Sequence, residues 1–574
     1  MGHHSQEPNA VEYELAIIGG GIAGCMLAAA MARNGVKVLV LEAGTYPKFA
    51  IGESMILETS EIMRSLALVF DVPELEYFSA EHFMPVIGGS HGVKRHFSYL
   101  PHQKGKEFNA DDVIQAVIPE RPYGHELHIY RQDSDYFYVG VATKYGATVL
   151  QNTPVSDIDI SDDGVKLHTP SGKSFNVGYV VDAGGYRSLI AQKKSLRCTD
   201  LQTHTRGIFT HMRGVRSLHD DAVSKEKMEI PFSLAEGTLH HVFDGGWLWV
   251  IPFNNHKFSH SDLCSVGLLL DPRVHGETPN IPPEEEFQNF VAQFPGIDKH
   301  LKGAQSVRNW VRADRLQYSS TEIVGDRFCL LGHAAGFIDP LFSKGLYTSF
   351  AAVLSFGRNY LMAREEKDFS RERFLEVEAQ TLKYIQSNDR LVANAIKCFA
   401  HADLWRVYSI IWIVGAYLEL VRLTVYRQSL LKHCDGAQAR IKYDMPELRL
   451  VGGGFDAFDK LAKEIDEQIE QLDLTDDQAV RTAISTIRDR ILSEKWIPYG
   501  HRAIAKGAKH LPKKKFSWKL FMNEGGILGR PDFKKHFFGD TNLFALGMFM
   551  IKNRIRYSRA FISRRHRLMR GRSI

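Results

Sequence analysis

The spacing of apolar and polar positions predicts a strand, a helix and a second strand at the start of the chain. Glu14 to Ile18 (ELAII) is a short apolar run stopping at Gly19, as expected of a strand buried in a parallel sheet. Ala23 to Asn34 reads as a helix ended by Gly35, and Val36 to Leu41 (VKVLVL) as a second strand closed by Glu42 and Ala43. Ile129 to Gly146 predicts another helix and Ala147 to Leu150 a strand. Alternation from Val155 to Leu167 meets a turn at Pro170-Ser171-Gly172, and Val180-Val181-Asp182-Ala183-Gly184-Gly185 returns to a buried strand with a glycine turn. From about Leu201 to Val311 the pattern is β-rich, with Trp247 to Pro252 and Ser265 to Leu270 as its clearest strands. Phe328 to Leu331 is a further buried strand ending at Gly332, and from Leu346 onward the pattern is helical. This order predicts an α/β fold. A nucleotide-binding domain in two pieces, 1–200 and 313–365, encloses a β-rich substrate layer, 201–312, and a mostly helical C-terminal region with a basic tail fills 366–574.

Composition narrows the class. The 574 residues are 44% hydrophobic and 24% charged, as in a folded soluble protein of more than one domain. A net charge of +4 carries no global nucleic-acid signature. Six scattered cysteines with no CxxC pair argue against a disulfide framework or a metal site and for a reducing compartment. Met1 to Glu14 is polar and has no apolar signal core, so the expected location is the cytoplasm. Trp405 to Val425 is apolar and long enough to raise a membrane question, but Arg406, Glu419 and Arg422 interrupt it, and a helix packed against protein is expected. Lys552 to Arg572 carries nine Lys/Arg and no acids, after the apolar Leu543 to Ile551. Such a tail suits a membrane leaflet or an acidic carrier protein, and equally a solvated terminus.

The candidate chemistry begins at Gly19-Gly20-Gly21-Ile22-Ala23-Gly24. In this turn Gly19 permits the tight bend, Gly21 lets a pyrophosphate approach the backbone, and Gly24 packs helix on strand. The helix start offers free N–H groups to the phosphates. Glu42 accepts hydrogen bonds from the ribose hydroxyls and disfavours a 2′-phosphate. Strand, turn, helix, second strand and acid are in register, so a Rossmann-like site is expected. Gly452-Gly453-Gly454 lacks that context and reads as a loop.

Val180–Gly185 and Gly325–Pro340 (GDRFCLLGHAAGFIDP) resemble the second and third flavin motifs of the p-hydroxybenzoate-hydroxylase-like flavoproteins. The resemblance implies FAD, held in part by Asp182, Ala183, Gly184, Gly332 and His333. That family usually has aspartate after the glycine; the imidazole of His333 still hydrogen-bonds a ribityl hydroxyl. Arg131, ahead of Asp135, matches the family arginine near the flavin phosphates or ring, and otherwise reads as a solvated helix residue.

Gly246-Trp247-Leu248-Trp249-Val250-Ile251-Pro252 resembles the WxWxIP signature of the flavin-dependent halogenases. Ile51-Gly52-Glu53-Ser54 and Asp339-Pro340-Leu341-Phe342-Ser343-Lys344-Gly345 resemble the same group's flavin-side segments. The likeness spans 14 to about 360 and is strongest to the branch acting on phenolic, pyrrolic or carrier-bound substrates. It implies FADH2 from a separate flavin reductase and a flavin hydroperoxide attacked by chloride or bromide. The resulting hypohalous acid then reaches an electron-rich aromatic or enol carbon. Trp247 and Trp249 would wall the flavin from substrate. Ser343, Lys344 and Gly345 would bind halide, Gly345 and Leu346 would meet the flavin, as would Ser54, and Glu53 and Ser343 would join the catalytic set. The halogenation lysine is less direct: the matching position is Gly92, flanked by His91 and Lys94, and Lys94 is the assigned residue. The alternative is an FAD-dependent monooxygenase of the same fold.

Overall fold

The computed structural model describes residues 11–120, 123–218, 228–511 and 531–539, with a few positions between 544 and 559; most of the basic tail lies outside the described residues. Tyr13–Ile18 is the centre of an eight-stranded sheet. It pairs in parallel with Val38–Leu41 on one side and Ser174–Asp182 on the other, and Thr148–Leu150 and Phe328–Leu330 extend the parallel order outward. Leu15, Ala16 and Ile17 are fully buried because helices cover both faces. In register, Ile18 lies opposite Asp182 and Asp182 opposite Leu330. The three strands therefore end side by side, at Gly19, Ala183 and Leu331-Gly332, where open α/β sheets bind ligands.

Helix α1 (Ile22–Arg33) follows Gly19–Gly21 and packs on helix α3 (Arg131–Lys144), and α2 (Leu57–Phe70) lies between them in the chain. A second eight-stranded sheet runs Gln305–Ser306, Arg206–Arg213, Leu263–Leu270, Gly246–Pro252, Thr238–Phe243, His96–Pro101 and Ile114–Val117, with Val311–Ala313 beside Arg206–Arg213. Its two faces separate by strand alternation. Trp247, Trp249, Ile251, Phe97 and Tyr99 face the main core, whereas Leu248, Val250 and Leu100 face a second core closed by helices Pro283–Val291 and Pro295–Leu301. A boundary at residue 200 thus divides the β-layer: strands His96–Pro101 and Ile114–Val117 come from the N-terminal piece, yet pair with it.

The helical region is not separate either. Helices α4 (Gly345–Glu366), α5 (Leu375–Cys398) and α6 (Ala402–His433) share one core with the parallel sheet. Helix α6 alone among the described residues is long and apolar enough to cross a membrane. Its charges are answered inside the protein. Arg406 donates to the Asp111 carbonyl, Arg422 to the His536 carbonyl, and Arg427 pairs with Glu61 of α2 at 2.6 Å. The expected packed helix is what forms. Gly452, Gly453 and Gly454 form a loop of left-handed residues, in which the Gly453 N–H donates to Glu419.

Candidate active site

The glycine turn takes the expected shape. Gly19 has φ +99°, and a Cβ there would lie 2.7 Å from the Ala183 carbonyl oxygen. A Cβ at Gly24 would lie 2.3 Å from the Gly19 carbonyl oxygen, so helix and strand touch through bare backbone. At Gly21 a Cβ meets nothing within 4 Å, the opening a diphosphate needs. Ile22 starts α1 without a side-chain cap, leaving first-turn N–H groups available, and Ala23 is partly exposed beside it. Glu42 accepts from the Gly20 and Gly44 N–H groups at 2.8 and 2.9 Å and pairs with Lys48, while Ala43 is exposed. Burial alone would raise the Glu42 pKa, but Lys48 and the two amides overcome it and hold it below the usual value.

Arg131 is buried, not solvated. It grips Asp135 in two bonds of 2.8 and 3.0 Å and donates to the carbonyls of Ile51 and Gly52, fastening the segment ahead of α2 to α3. The Glu53 carboxylate meets His211 Nε2 at 2.7 Å. Ser54 starts a buried chain of hydrogen bonds. The Pro252 carbonyl can only accept, so His128 Nδ1 donates to it at 3.0 Å. Burial, then Lys94, hold the His128 pKa well below normal, so the ring is neutral and its Nε2 accepts from Thr238 at 2.9 Å. Thr238 in turn accepts from Ser54 at 2.9 Å. The tryptophan strand and the Glu53-Ser54 segment are thereby locked together.

Lys94 is fully buried, with Nζ 3.2 Å from Ser343 Oγ and 3.4 Å from the centre of the Phe97 ring. Burial lowers its pKa well below the ordinary value; Glu126, its cross-strand neighbour, and Glu58 pull upward, and Lys344 pushes down again. Gly92 cannot carry the lysine, because a Cβ there would stand 2.2 Å from the Pro252 carbonyl oxygen. His91 is occupied elsewhere, its Nδ1 accepting from the Tyr130 N–H at 2.9 Å. Ser343 has a left-handed φ of +55°, sparsely populated for a non-glycine residue. Leu346 follows Gly345 into the buried first turn of α4, which has no side-chain cap. His333 Nε2 is buried beside Gly345 and lacks a well-aligned hydrogen bond, and burial first, then Arg131, lower the ring's pKa to about 4.

Trp247 and Trp249 share one face of their strand, ring centroids 5.7 Å apart. Trp249 Nε1 donates to Ser265, and its ring lies on Gly267, where a Cβ would overlap it. Trp247 lies against Asp339, whose pKa burial raises to about 7.

Comparison with known proteins identifies this arrangement. Residues 108–387 match the tryptophan halogenase family and 17–49 an NAD(P)-binding Rossmann-like domain. The chain is 40% identical to monodechloroaminopyrrolnitrin halogenase PrnC of Pseudomonas fluorescens over 73% of its length and 74% of that protein's. It belongs to the flavin-dependent halogenases. It is 38% identical to tetracycline 7-halogenase of Kitasatospora aureofaciens over 72% of this chain and 75% of that one. The halogenase PltM, solved with phloroglucinol and FAD, superposes with a TM-score of 0.81 at 33% identity, covering 87% of this chain and 99% of PltM.

The halogenase therefore uses FAD in its reduced form, together with halide, and enzymes of this family draw reduced flavin from a separate reductase. The residues present fit FAD: an open Gly21 and an uncapped α1 at one strand end, and a buried His333 nitrogen without a partner among the described residues just past the end of a parallel strand in the same sheet. Two readings of the sequence are corrected. The Asp182 carboxylate is not free to hold a cofactor: it is fully buried and accepts from the Gly184 and Ile190 N–H groups and from Ser188, so it shapes the turn that Ala183 and Gly184 present. Lys344 does not lend its charge to an anion beside the turn, since its ammonium points into α2 and pairs with Glu58 at 2.6 Å. The structure also adds contacts the sequence did not give. Phe342 stacks on Trp412 and Trp405 of α6, with centroids 4.9 and 6.4 Å apart, and Phe97 and Tyr99 meet Trp412 edge-on. The seven-residue spacing of Trp405 and Trp412 marks one helix face, but nothing in the spacing says what that face meets.

Proposed function

We propose that this halogenase acts on a free, electron-rich aromatic small molecule, with Lys94 delivering the halogen. The carrying observation is the contact of Lys94 Nζ with Ser343 Oγ at 3.2 Å, inside a buried site between the flavin-side turn and the aromatic sheet. Reduced FAD, when bound, supplies with oxygen the oxidising power that turns halide into hypohalous acid. The amides of Lys344 and Gly345 hold the halide at the uncapped start of α4. Trp247 and Trp249 keep the organic substrate from the flavin side, and the Ser54–Thr238–His128 chain keeps their strand in place. Lys94 donates an N–H to the oxygen of hypohalous acid and directs its halogen at the ring. The carbon–halogen bond forms as the oxygen–halogen bond breaks, and the ring proton leaves with the hydroxide as water. Resemblance to enzymes named for small molecules, and to PltM with phloroglucinol, supports a free substrate over a tethered one. Six unpaired cysteines, five of them buried, favour a reducing compartment such as the cytoplasm.

The test is Lys94→Ala. Halogenation is expected to be lost while bound FAD and oxygen consumption persist, and Lys94→Arg is not expected to restore it. A Lys94→Ala enzyme that halogenates normally removes Lys94 from this role. A hydroxylated product from the wild type in the presence of halide defeats the halogenation reading and favours the monooxygenase.

A further inference from the structure

Two buried polar atoms in the aromatic cluster that reaches Lys94 have no hydrogen-bond partner among the described residues. Tyr99 is buried: its side chain is 0% exposed and its hydroxyl makes no hydrogen bond among the described residues. The same holds for Nε1 of Trp405, also at 0% exposure. Their rings are neighbours, with centroids 4.9 Å apart. A buried donor left unmade is costly, and such atoms in a folded protein call for an explanation. Both lie in the aromatic cluster that closes on Lys94. Tyr99 stacks on His240 at 4.5 Å, Trp412 touches Tyr99, Phe97 and Phe342, Phe97 covers the Lys94 ammonium, and Phe342 precedes Ser343.

We infer that Tyr99 and Trp405 are the substrate-recognition pair of this enzyme, their O–H and N–H gripping an oxygen on the aromatic ring to be halogenated. The inference rests on the reading of the site given above and narrows it to rings bearing a hydroxyl or carbonyl. An aromatic substrate suits a site lined by aromatic rings, and its oxygen supplies the acceptor that both donors lack. Trp405 enters from α6, so specificity is set by the C-terminal helical region, and catalysis by the sheet and the Ser343 turn.

The experiment is calorimetric binding of phloroglucinol and of indole, which has no oxygen, to FAD-loaded wild type, Tyr99→Phe and Trp405→Phe. Both replacements keep an aromatic ring and delete the donor; retained FAD reports a folded chain. Each is expected to weaken phloroglucinol about tenfold and leave indole unchanged. Equal phloroglucinol affinity in all three proteins, an equal loss for both ligands, or a wild type that does not bind phloroglucinol overturns the inference. Its failure is separable from that of the catalytic reading, which Lys94→Ala decides by activity alone.

Discussion

A Cβ built at Gly21 meets no protein atom within 4 Å, whereas one at Gly92 would stand 2.2 Å from the Pro252 carbonyl oxygen. The same residue type is thus kept for opposite reasons, room for a ligand in one case and close backbone packing in the other. Gly21→Val should therefore fold normally, since nothing in the protein obstructs the side chain, yet fill the space a diphosphate needs. The expected result is loss of flavin absorbance after gel filtration with an unchanged far-UV spectrum. Full flavin retention would move the cofactor away from this turn.

Between elements, α2 carries a row of buried groups toward the site. Glu58 pairs with Lys344 at the turn before α4, Ser60 donates to Glu126, and Glu61 is held by Arg64 and by Arg427 of α6. Burial pushes Glu126 up to about 8, whereas Arg427 and Arg64 overcome burial at Glu61 and hold it low. Breaking one member of a buried pair strands the other charge, at a cost of about 3–5 kcal/mol, while replacing both with apolar residues is close to neutral. Glu58→Gln should accordingly lower the denaturant midpoint sharply, and Glu58→Leu with Lys344→Met should recover most of the loss. If the double variant is as unstable as the single one, the pair is not what joins α2 to α4.

Across the whole molecule, buried titratable groups of both kinds set a pH optimum for stability. Burial raises Asp339 and Glu419 to about 7 and Glu126 to about 8, so the folded state holds protons the unfolded chain has released. Their contribution is complete below the ordinary carboxyl range and is lost as pH rises through 7 and 8. Burial lowers His91, His102 and His240 to about 3, and their contribution is present above 6.5 and lost as pH falls. Between about pH 4.5 and 6.5 the two sets oppose each other, so the apparent melting temperature should fall below that window, where the histidine contribution goes, and above it up to about pH 8, where the carboxyl contribution is finally lost. Glu419→Gln, which keeps the shape and removes the titration, should flatten the slope between about pH 4.5 and 7 as read by calorimetry. A slope over that range identical to wild type would mean that Glu419 is ionised in the fold.

Local order was legible because local physics writes it. Gly19 to Gly24, Glu42 and the strands around them follow from short-range rules of turns, periodicity and helix starts, and the structure reproduces them. The tryptophan strand and the Ser343 segment were legible by resemblance. What the sequence left undetermined depended on distant partners. Gly92 and Lys94 share a strand face, so alternation could not choose between them; the Pro252 carbonyl, far along the chain, does. Asp182 and Arg131 looked like ligands for a cofactor, but each first satisfies neighbours that only the folded loops bring near. Strands His96–Pro101 and Ile114–Val117 sit early in the chain and pair with a late sheet, because a sheet is chosen by its edge hydrogen bonds rather than by proximity in sequence. The apolar pattern established that α6 would be helical and its charges that it would be packed. Only the tertiary structure placed Trp405 and Trp412 against Phe342, since a helix face carries no record of the surface that buries it.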